Sequence, residues 1–151
     1  VGVVVGLGGV AAHVLCKLPR DAEGYMGRLR CVQEISAVTA ACMMVKTSVF
    51  KAVGGFDEEL KVAFNDIDLC MKVRKYGVKI VFTPYAELYH YESKSRGMED
   101  TPEKQLRFSR EVNCFRRKWE RELLKGDPYY NPNLTLNNTD CSLRKQEKNG
   151  D

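Results

Sequence analysis

Two carboxylates stand close together in the segment Asn65-Asp66-Ile67-Asp68, at the predicted start of a helix. A carboxylate in such a place can act as a general base that takes a proton from a hydroxyl group. It can also simply cap the helix, with Asn65 as the N-cap and Asp68 as its reciprocal acceptor. Asp66 and Asp68 are separated by about 200° around a helix, so both cannot face one substrate atom. The local sequence favours capping and leaves catalysis as the alternative.

His90 is a second candidate, because it follows a predicted strand and precedes the polar loop 92–97. An imidazole is a suitable ligand for Mn²⁺ and a poorer one for Mg²⁺, which prefers oxygen. A single histidine is more often an ordinary packed or exposed residue, so the metal role needs further support. The six cysteines are scattered without a C-x-x-C pair. This pattern is typical of free thiols in a reducing compartment and not of a zinc site.

The segments that position these residues are predicted to be a mixture of strands and helices. Apolar runs predict strands at 1–6, 36–45 and 78–83, with a further extended piece at 86–91. Capping residues and terminating glycines predict three helices, which begin at Thr47 or Ser48, at Asn65 and at Thr101 and end at Gly54, Gly77 and Gly126. The predicted fold class is therefore α/β.

The composition is that of a globular domain with one core, since 151 residues include 44% hydrophobic and 29% charged side chains. No apolar run approaches the roughly 20 residues that cross a bilayer. The net charge of +4 permits contact with phosphates or an anionic surface but does not require it. We expect a cytoplasmic location, with peripheral contact at the inner face of a membrane left open, and no nucleic-acid partner.

Four phrases in a fixed order resemble the second half of family 2 glycosyltransferases of the GT-A fold, particularly the rhamnosyltransferase-like bacterial members. They are the small apolar run at 36–45, Val-Gly-Gly-Phe-Asp-Glu at 53–58, the run Phe-Asn-Asp-Ile-Asp-Leu-Cys-Met-Lys-Val-Arg-Lys-Tyr-Gly at 64–77, and Tyr-His-Tyr-Glu-Ser-Lys-Ser-Arg-Gly at 89–97. The likeness continues at Gly24-Tyr25, at Trp119 and through 127–133. It covers most of the chain, and four phrases in order are far more specific than one.

The resemblance implies an inverting transfer of a sugar from a nucleoside-diphosphate donor to an acceptor hydroxyl in surface polysaccharide synthesis. Such a reaction needs a base for the acceptor proton and positive charge beside the departing diphosphate, which a divalent metal (Mn or Mg) usually supplies. It also needs both substrates held in line. The implied fold is a partial GT-A fold, a mixed sheet with flanking helices.

In this family likeness Asp66 matches the catalytic base, with Asn65 and Asp68 as supporting or capping residues. The position suits a base, because a carboxylate in the first turn of a helix is held rigidly and the helix dipole favours its charged form. Gly54 and Gly55 open a loop that faces the acceptor in the family, although turn geometry alone also explains two glycines.

The donor side of the implied site falls on two other segments. Thr39 and Ala40 would lie under the donor sugar, because small residues let a ligand approach closely, while a tightly packed core strand is the alternative. His90 would join the metal. The diphosphate would meet the basic and hydroxyl residues of the following loop, Lys94, Ser95 and Arg96.

The resemblance divides the chain into residues 1–126, the acceptor-side half of a glycosyltransferase domain, and a polar tail at 127–151. The metal-binding D-x-D phrase and the nucleotide-binding units belong to the family's first half. The D-x-D that this chain contains, Asp66-Ile67-Asp68, stands in the base position and does not follow the long hydrophobic strand that presents the metal acids. We therefore expect that the chain needs the missing N-terminal half and is inactive alone. The implied partners are a nucleoside-diphosphate sugar and a saccharide or lipid-linked acceptor.

Two alternatives belong to other functional classes. The opening strand followed by Gly6-Leu7-Gly8-Gly9-Val10-Ala11 fits G-x-G-x-x-A, the pattern of a Rossmann-type dinucleotide-binding module. The predicted helix at 102–125 carries eight Lys and Arg against four Glu beside an apolar stripe, so it could lie on an anionic membrane or on nucleic acid. A core-facing stripe with a solvated charged face is the simpler interpretation. The stripe consists of Phe108, Val112, Phe115, Trp119 and Leu123.

Overall fold

A computed structural model of the chain describes residues 2–89 and 100–145. The predicted metal ligand His90 and the predicted diphosphate-binding residues Lys94, Ser95 and Arg96 lie outside these ranges. The mixture of helices and strands confirms the α/β class at a coarse level. The strands are β1 (Val3–Val5), β2 (Ala11–His13), β3 (Gln33–Glu34) and β4 (Val81–Phe82), and the helices are α1 (Thr47–Ala52), α2 (Asn65–Lys75), α3 (Pro102–Lys118) and α4 (Glu120–Lys125).

Strands β1 and β2 form an antiparallel hairpin in which Val3 pairs with His13. A 3-10 turn at Leu7–Gly9 connects the strands, and Gly6 before it has φ 98°, a value that favours glycine. The predicted strand at 1–6 is thus confirmed over β1. The dinucleotide-binding alternative is wrong. That motif needs a helix after the strand, whereas here the glycines return the chain into an antiparallel strand.

Strands β3 and β4 form a second antiparallel pair, with Gln33 opposite Phe82. Of the predicted strand at 78–83, only Val81 and Phe82 form a strand. Residues 84–89, the described part of the predicted extended piece at 86–91 and the residues before it, contain no strand. Each sheet has two strands. The part of the chain that the structure describes therefore does not build the larger mixed sheet that we expected.

The predicted strand at 36–45 is wrong. Ala37 makes one antiparallel bridge to the hairpin, and the chain then forms a 3-10 turn at Ala40–Cys42. Thr39 precedes this turn, and its Oγ1 accepts a hydrogen bond from the amide of Ala41 at 3.4 Å. Such a local bond competes with a strand ladder. All three residues of the turn are exposed, so small apolar side chains did not lead to burial here.

Helices α1 and α2 form at the predicted places, but neither is capped as predicted. Helix α1 begins after Lys46 without a side-chain cap. Helix α2 follows Phe64, which is left-handed (φ 63°), and Asn65 is its first residue and not its cap. A left-handed residue other than glycine costs roughly 1–2 kcal/mol. Packing offsets this strain, since the Phe64 ring centroid lies 5.2 Å from that of Phe115 and 5.8 Å from that of Phe108.

Helix α3 begins as predicted, with Thr101 as a side-chain cap and Pro102 in its first turn. The predicted single helix breaks at Trp119, which ends α3 and precedes α4 (φ −114°, ψ 23°). Phe115 and Trp119 are buried, so the centre of the apolar stripe faces the core, as the simpler interpretation predicts. Within residues 2–89 and 100–145, no helix has the length and apolar character that crossing a membrane requires.

The hairpin lies between two apolar clusters. Because side chains alternate along a strand, Val3 and Val5 point to one face and Val4 to the other. The first cluster continues with residues of the loop before α2, of α2 and of α3, and with Trp119: Leu60, Ile67, Cys70, Met71, Phe115 and Trp119. The second continues with Leu7, Val14, Leu15, Tyr130, Leu134 and Cys141.

The segment 127–145, the described part of the predicted polar tail, packs against the hairpin. Asp127 starts it by accepting hydrogen bonds from the amides of Val5 and Tyr129, both at 2.8 Å. The buried hydroxyl of Tyr130 donates to the carbonyl oxygen of Thr135 at 3.0 Å. Backbone and side-chain bonds thus hold this segment on the second cluster.

Candidate active site

Asp66 lies in the first turn of α2, with its side chain half-buried. Its Oδ2 accepts a hydrogen bond from the amide of Ala40 at 3.0 Å, and its Oδ1 accepts one from the amide of Ile67 at 2.8 Å. The structure therefore brings together two of the residues predicted from sequence, Asp66 and Ala40. They come from segments 26 residues apart in the chain.

The start of α2 explains why Asp66 is fixed in this orientation. The side-chain oxygen of Asn65 accepts a hydrogen bond from the amide of Asp66 at 2.7 Å. The first amides of a helix have no partner within the helix, so they are available to side chains and carry the positive end of the dipole. Asn65 and Asp66 each bind the amide of the next residue, which holds the carboxylate at the mouth of the helix.

Asp68 does not serve as the reciprocal acceptor of a helix cap. It is 0% exposed, and its Oδ1 accepts a hydrogen bond from the indole N–H of Trp119 at 2.8 Å. The ammonium groups of Lys118 and Lys72 lie 2.7 Å from its Oδ1 and 3.1 Å from its Oδ2. The two acids of the motif therefore have different surroundings: Asp66 faces the Ala40 turn, and Asp68 joins α2 to the end of α3.

Asp57, of the Val-Gly-Gly-Phe-Asp-Glu phrase, extends the ion pairs around Asp68. Its Oδ2 pairs with Lys118, which bridges it to Asp68. The hydrogen bond from Lys118 lowers the pKa of Asp57, and the amide of Glu59 adds to this effect. Burial alone would lower the pKa of Lys118, but its hydrogen bonds to Asp57 and Asp68 outweigh burial and raise it.

The two glycines of the predicted acceptor-side loop serve turn geometry. Gly54 and Gly55 have φ of 78° and 64°, values that favour glycine. Gly55 is also buried, and a Cβ there would lie 3.0 Å from the ring of Phe50. Its carbonyl oxygen accepts a hydrogen bond from Lys72, the same residue that pairs with Asp68. The loop is thereby tied to α2.

Glu111 is the residue of this region that the sequence reasoning missed. This side chain of α3 is 3% exposed, and its two oxygens accept hydrogen bonds from the amides of Val62 and Ala63 at 3.2 and 2.8 Å. A signal was present in the sequence. Phe108, Glu111, Val112 and Phe115 fall at the i, i+3, i+4, i+7 spacing of one helix face, so an acid lies within the apolar stripe.

A buried thiol lies on α2, close to the segment that leads into the Ala40 turn. Cys70 is buried on α2, and its Sγ lies 3.7 Å from the carbonyl oxygen of Val38. Burial raises the pKa of Cys70 to about 11. A thiol with so high a pKa is protonated at neutral pH and is a poor nucleophile, so Cys70 is not a candidate nucleophile for this site.

The residues that the structure describes include no group of three or more His, Cys, Asp or Glu side chains placed to hold a metal ion. A cleft of about 440 Å³ lies at the opposite, C-terminal end of α2 and is lined partly by Arg74, Lys75, Lys79 and Lys125. Nine residues of helix place it roughly 14 Å from Asp66 along the axis. The candidate active site is the surface between Asp66 and the Ala40 turn, because two of the residues predicted from sequence meet there.

The chain is similar to three proteins of greater length. It is 56% identical over 143 residues to the uncharacterized protein y4gI of Sinorhizobium fredii, a match that covers 94% of this chain and 16% of that protein. It is 37% identical over 151 residues to the O-antigen biosynthesis protein RfbC of Myxococcus xanthus, covering 99% and 12%. It is 36% identical over 62 residues to the N-acetylglucosaminyl-diphospho-decaprenol L-rhamnosyltransferase of Mycobacterium tuberculosis, covering 41% and 20%.

These matches are confined to a small part of each relative. The chain spans 16% and 12% of the length of the first two proteins, although nearly all of its own residues align with them. No family model matches the chain, and no solved structure matches it.

Proposed function

We propose that the chain is the acceptor-side part of an inverting glycosyltransferase that acts in polysaccharide synthesis, and that Asp66 is its catalytic base. The observation that carries the proposal is the carboxylate of Asp66, held at the start of α2 beside the exposed Ala40 turn. The sugar-transfer chemistry is supported by the names of two relatives, an O-antigen biosynthesis protein and a rhamnosyltransferase.

The contacts of Asp66 suit a base. A carboxylate has about four lone-pair positions, and the amides of Ala40 and Ile67 use two of them. The remaining positions can accept a hydrogen bond from the hydroxyl group of the acceptor substrate. In the proposed step the acceptor oxygen attacks the anomeric carbon, the bond from that carbon to the diphosphate oxygen breaks, and the hydroxyl proton passes to Asp66.

The donor half of the site remains a proposal that follows from the family resemblance. Thr39 and Ala40 lie under the donor sugar, where the short side chain of Ala40 leaves room for close approach. His90 is the proposed ligand of a divalent metal, which when bound supplies positive charge beside the diphosphate. The proposed contacts of the diphosphate itself are the three loop residues Lys94, Ser95 and Arg96.

The proposed partners are a nucleoside-diphosphate sugar and a saccharide or lipid-linked acceptor. We also propose that the chain alone does not complete the reaction, because its D-x-D phrase, Asp66-Ile67-Asp68, stands in the base position and the metal-binding D-x-D belongs to the family's donor half. An N-terminal half of the domain would supply that phrase. The proposed location is cytoplasmic, at or near the inner face of a membrane.

A chimaera tests the proposed base. This chain replaces the matching segment of the Myxococcus xanthus relative, and O-antigen is measured in cells that carry the chimaera. Asp66→Asn keeps the size of the side chain but removes the base, so O-antigen should fall by about a hundredfold or more. The matched control is Asp21→Asn in an exposed loop, which should leave production unchanged. Normal O-antigen from the Asp66→Asn chimaera would refute the role of Asp66.

A further inference from the structure

One buried carboxylate holds the turn that leads into α2. Glu111 binds the amides of two consecutive residues, Val62 and Ala63, with one oxygen each. A buried charged group is costly unless it is hydrogen-bonded. These two bonds give each carboxylate oxygen a donor and each of the two amides an acceptor. The amides belong to a loop that has no regular secondary structure, so the position of this loop depends on α3.

The residue after this turn also depends on α3. Phe64 is left-handed, and its ring packs on the rings of Phe108 and Phe115. The side chains of Phe108, Glu111 and Phe115 thus supply both the acceptors for the turn and the packing surface for its strained residue. The helix holds the direction in which the chain enters α2.

Asp66 follows this turn closely, with only Phe64 and Asn65 between it and the bound amide of Ala63. Its hydrogen bond to the amide of Ala40 is 3.0 Å long. A shift of the helix start by about 1 Å would break a bond of this length. The geometry that places Asp66 against the Ala40 turn is therefore set at a residue that does not itself touch the candidate site.

We propose that Glu111 is a positioning residue for Asp66: by binding the amides of Val62 and Ala63, it fixes the carboxylate against the Ala40 turn. The effect of Glu111 on catalysis rests on the proposed function of Asp66. The effect of Glu111 on the position of Asp66 does not. A residue that only stabilises the fold would change the fraction of folded chain. Loss of a positioning residue also changes the structure of the chains that remain folded, here at the amide of Ala40.

The effect on the position of Asp66 is tested by NMR of the 151-residue chain, with the amide signal of Ala40 as the reporter. Asp66→Ala gives the signal of an unbound Ala40 amide. In folded Glu111→Ala the signal should move most of the way to that reference. Glu111→Gln retains one acceptor oxygen and should give an intermediate shift. The control Glu103→Ala, which removes an exposed acid from the same helix, should not move the signal.

Each outcome of this experiment decides the proposal. An Ala40 signal that is unchanged in folded Glu111→Ala overturns it, and if that variant does not fold, an unchanged signal in Glu111→Gln overturns it equally. In the chimaera, Glu111→Gln should lower O-antigen by about tenfold or more, since small misplacements cost this much. Loss of O-antigen in Asp66→Asn without any shift of Ala40 in the Glu111 variants would refute the positioning role alone. Normal O-antigen in Asp66→Asn would refute the proposed function instead.

Discussion

The side chains around Lys118 show how single ionisable groups contribute to this fold. Lys118 pairs with Asp57 and Asp68, which lie on either side of the turn that leads into α2. Asp68 is buried, while Asp57 and Lys118 keep partial contact with water. Water screens the outer pair, so Asp57 should contribute less to stability than Asp68, and its contribution should depend on pH.

Asp57→Asn is predicted to change how stability depends on pH. The pKa of Asp57 in the folded chain is below its ordinary value of 3.8, so the unfolded chain binds the proton first as pH falls. The stabilisation is therefore complete above the ordinary pKa and is lost as pH falls through the lower, folded-state pKa. The variant should be less stable by roughly 0.5–1 kcal/mol near neutral pH. At pH values below the folded-state pKa of Asp57 this difference should vanish.

Urea denaturation at several pH values measures this effect. Asp21→Asn serves as the control, because Asp21 is exposed and its loss should leave the pH profile of the parent unchanged. Equal destabilisation of Asp57→Asn at neutral and at acid pH would contradict the argument, since it would show that the charge of Asp57 is not the source of its contribution.

At this scale the sequence was informative about residue types and less so about their partners. Asp66 and Asp68 stood out because they lie together, and their separation around the helix followed from their spacing alone. The partner of Asp68, Trp119, is 51 residues away, and no local pattern links the two. Glu111 was overlooked because an acid in a helix rich in charges is usually solvated.

Among the elements, the contact between α2 and the end of α3 organises the region around Asp66. Trp119 lies at the break between α3 and α4, and its indole N–H donates to the buried carboxylate of Asp68. The packing of Phe115, on α3, against Phe64, the residue before α2, adds an apolar contact in the same region. Removal of the indole N–H of Trp119 should therefore destabilise the fold more than the small loss of buried area suggests, because a buried carboxylate loses a donor.

Trp119→Phe is predicted to destabilise the chain by about 1–3 kcal/mol, because it keeps an aromatic ring but leaves a buried carboxylate oxygen without its indole donor. Guanidinium denaturation measures the change. Leu124→Ala on α4 is the control, since Leu124 is 83% exposed and its truncation should cost little. A Trp119→Phe variant as stable as the parent would mean that Lys118 and Lys72 alone satisfy Asp68.

Elements with local signals were predicted well, and those that depend on distant contacts were not. Thr101 and Pro102 marked the start of α3 because capping and a fixed φ act within a few residues. The run at 36–45 had the small apolar residues of a strand, yet Thr39 turns the chain and leaves Ala40 exposed. The two-residue strand β3 pairs with β4, in which Phe82 lies 49 residues beyond Gln33, so a partner far away in the chain decides whether that strand forms.

At the scale of the whole molecule, burial sorts the six cysteines, all of which carry free thiols. Cys70 and Cys141 are buried, and burial raises the pKa of both thiols. Cys114 is half-buried, and burial together with a hydrogen bond to Glu59 raises its pKa. The exposed thiols are those of Cys16, Cys31 and Cys42.

We predict that a brief pulse of iodoacetamide labels the three exposed cysteines much faster than Cys70 and Cys141, with Cys114 between the two groups. The reagent reacts with thiolates that it can reach, so burial and a raised pKa both slow the reaction. Peptide mass spectrometry gives the rate at each site. In denaturant all six should react alike. Equally fast labelling of Cys70 and Cys42 in the folded chain would contradict the burial of Cys70.

The hairpin of β1 and β2 has a further consequence for how the chain unfolds. The same three valines serve both clusters, two on one face and one on the other. If residues 127–145 detached from the hairpin, Val4 would become exposed to water. The amide of Val5 would also lose its hydrogen bond to Asp127. Both apolar clusters therefore depend on the same hairpin. We expect them to unfold in a single cooperative transition and not one after the other.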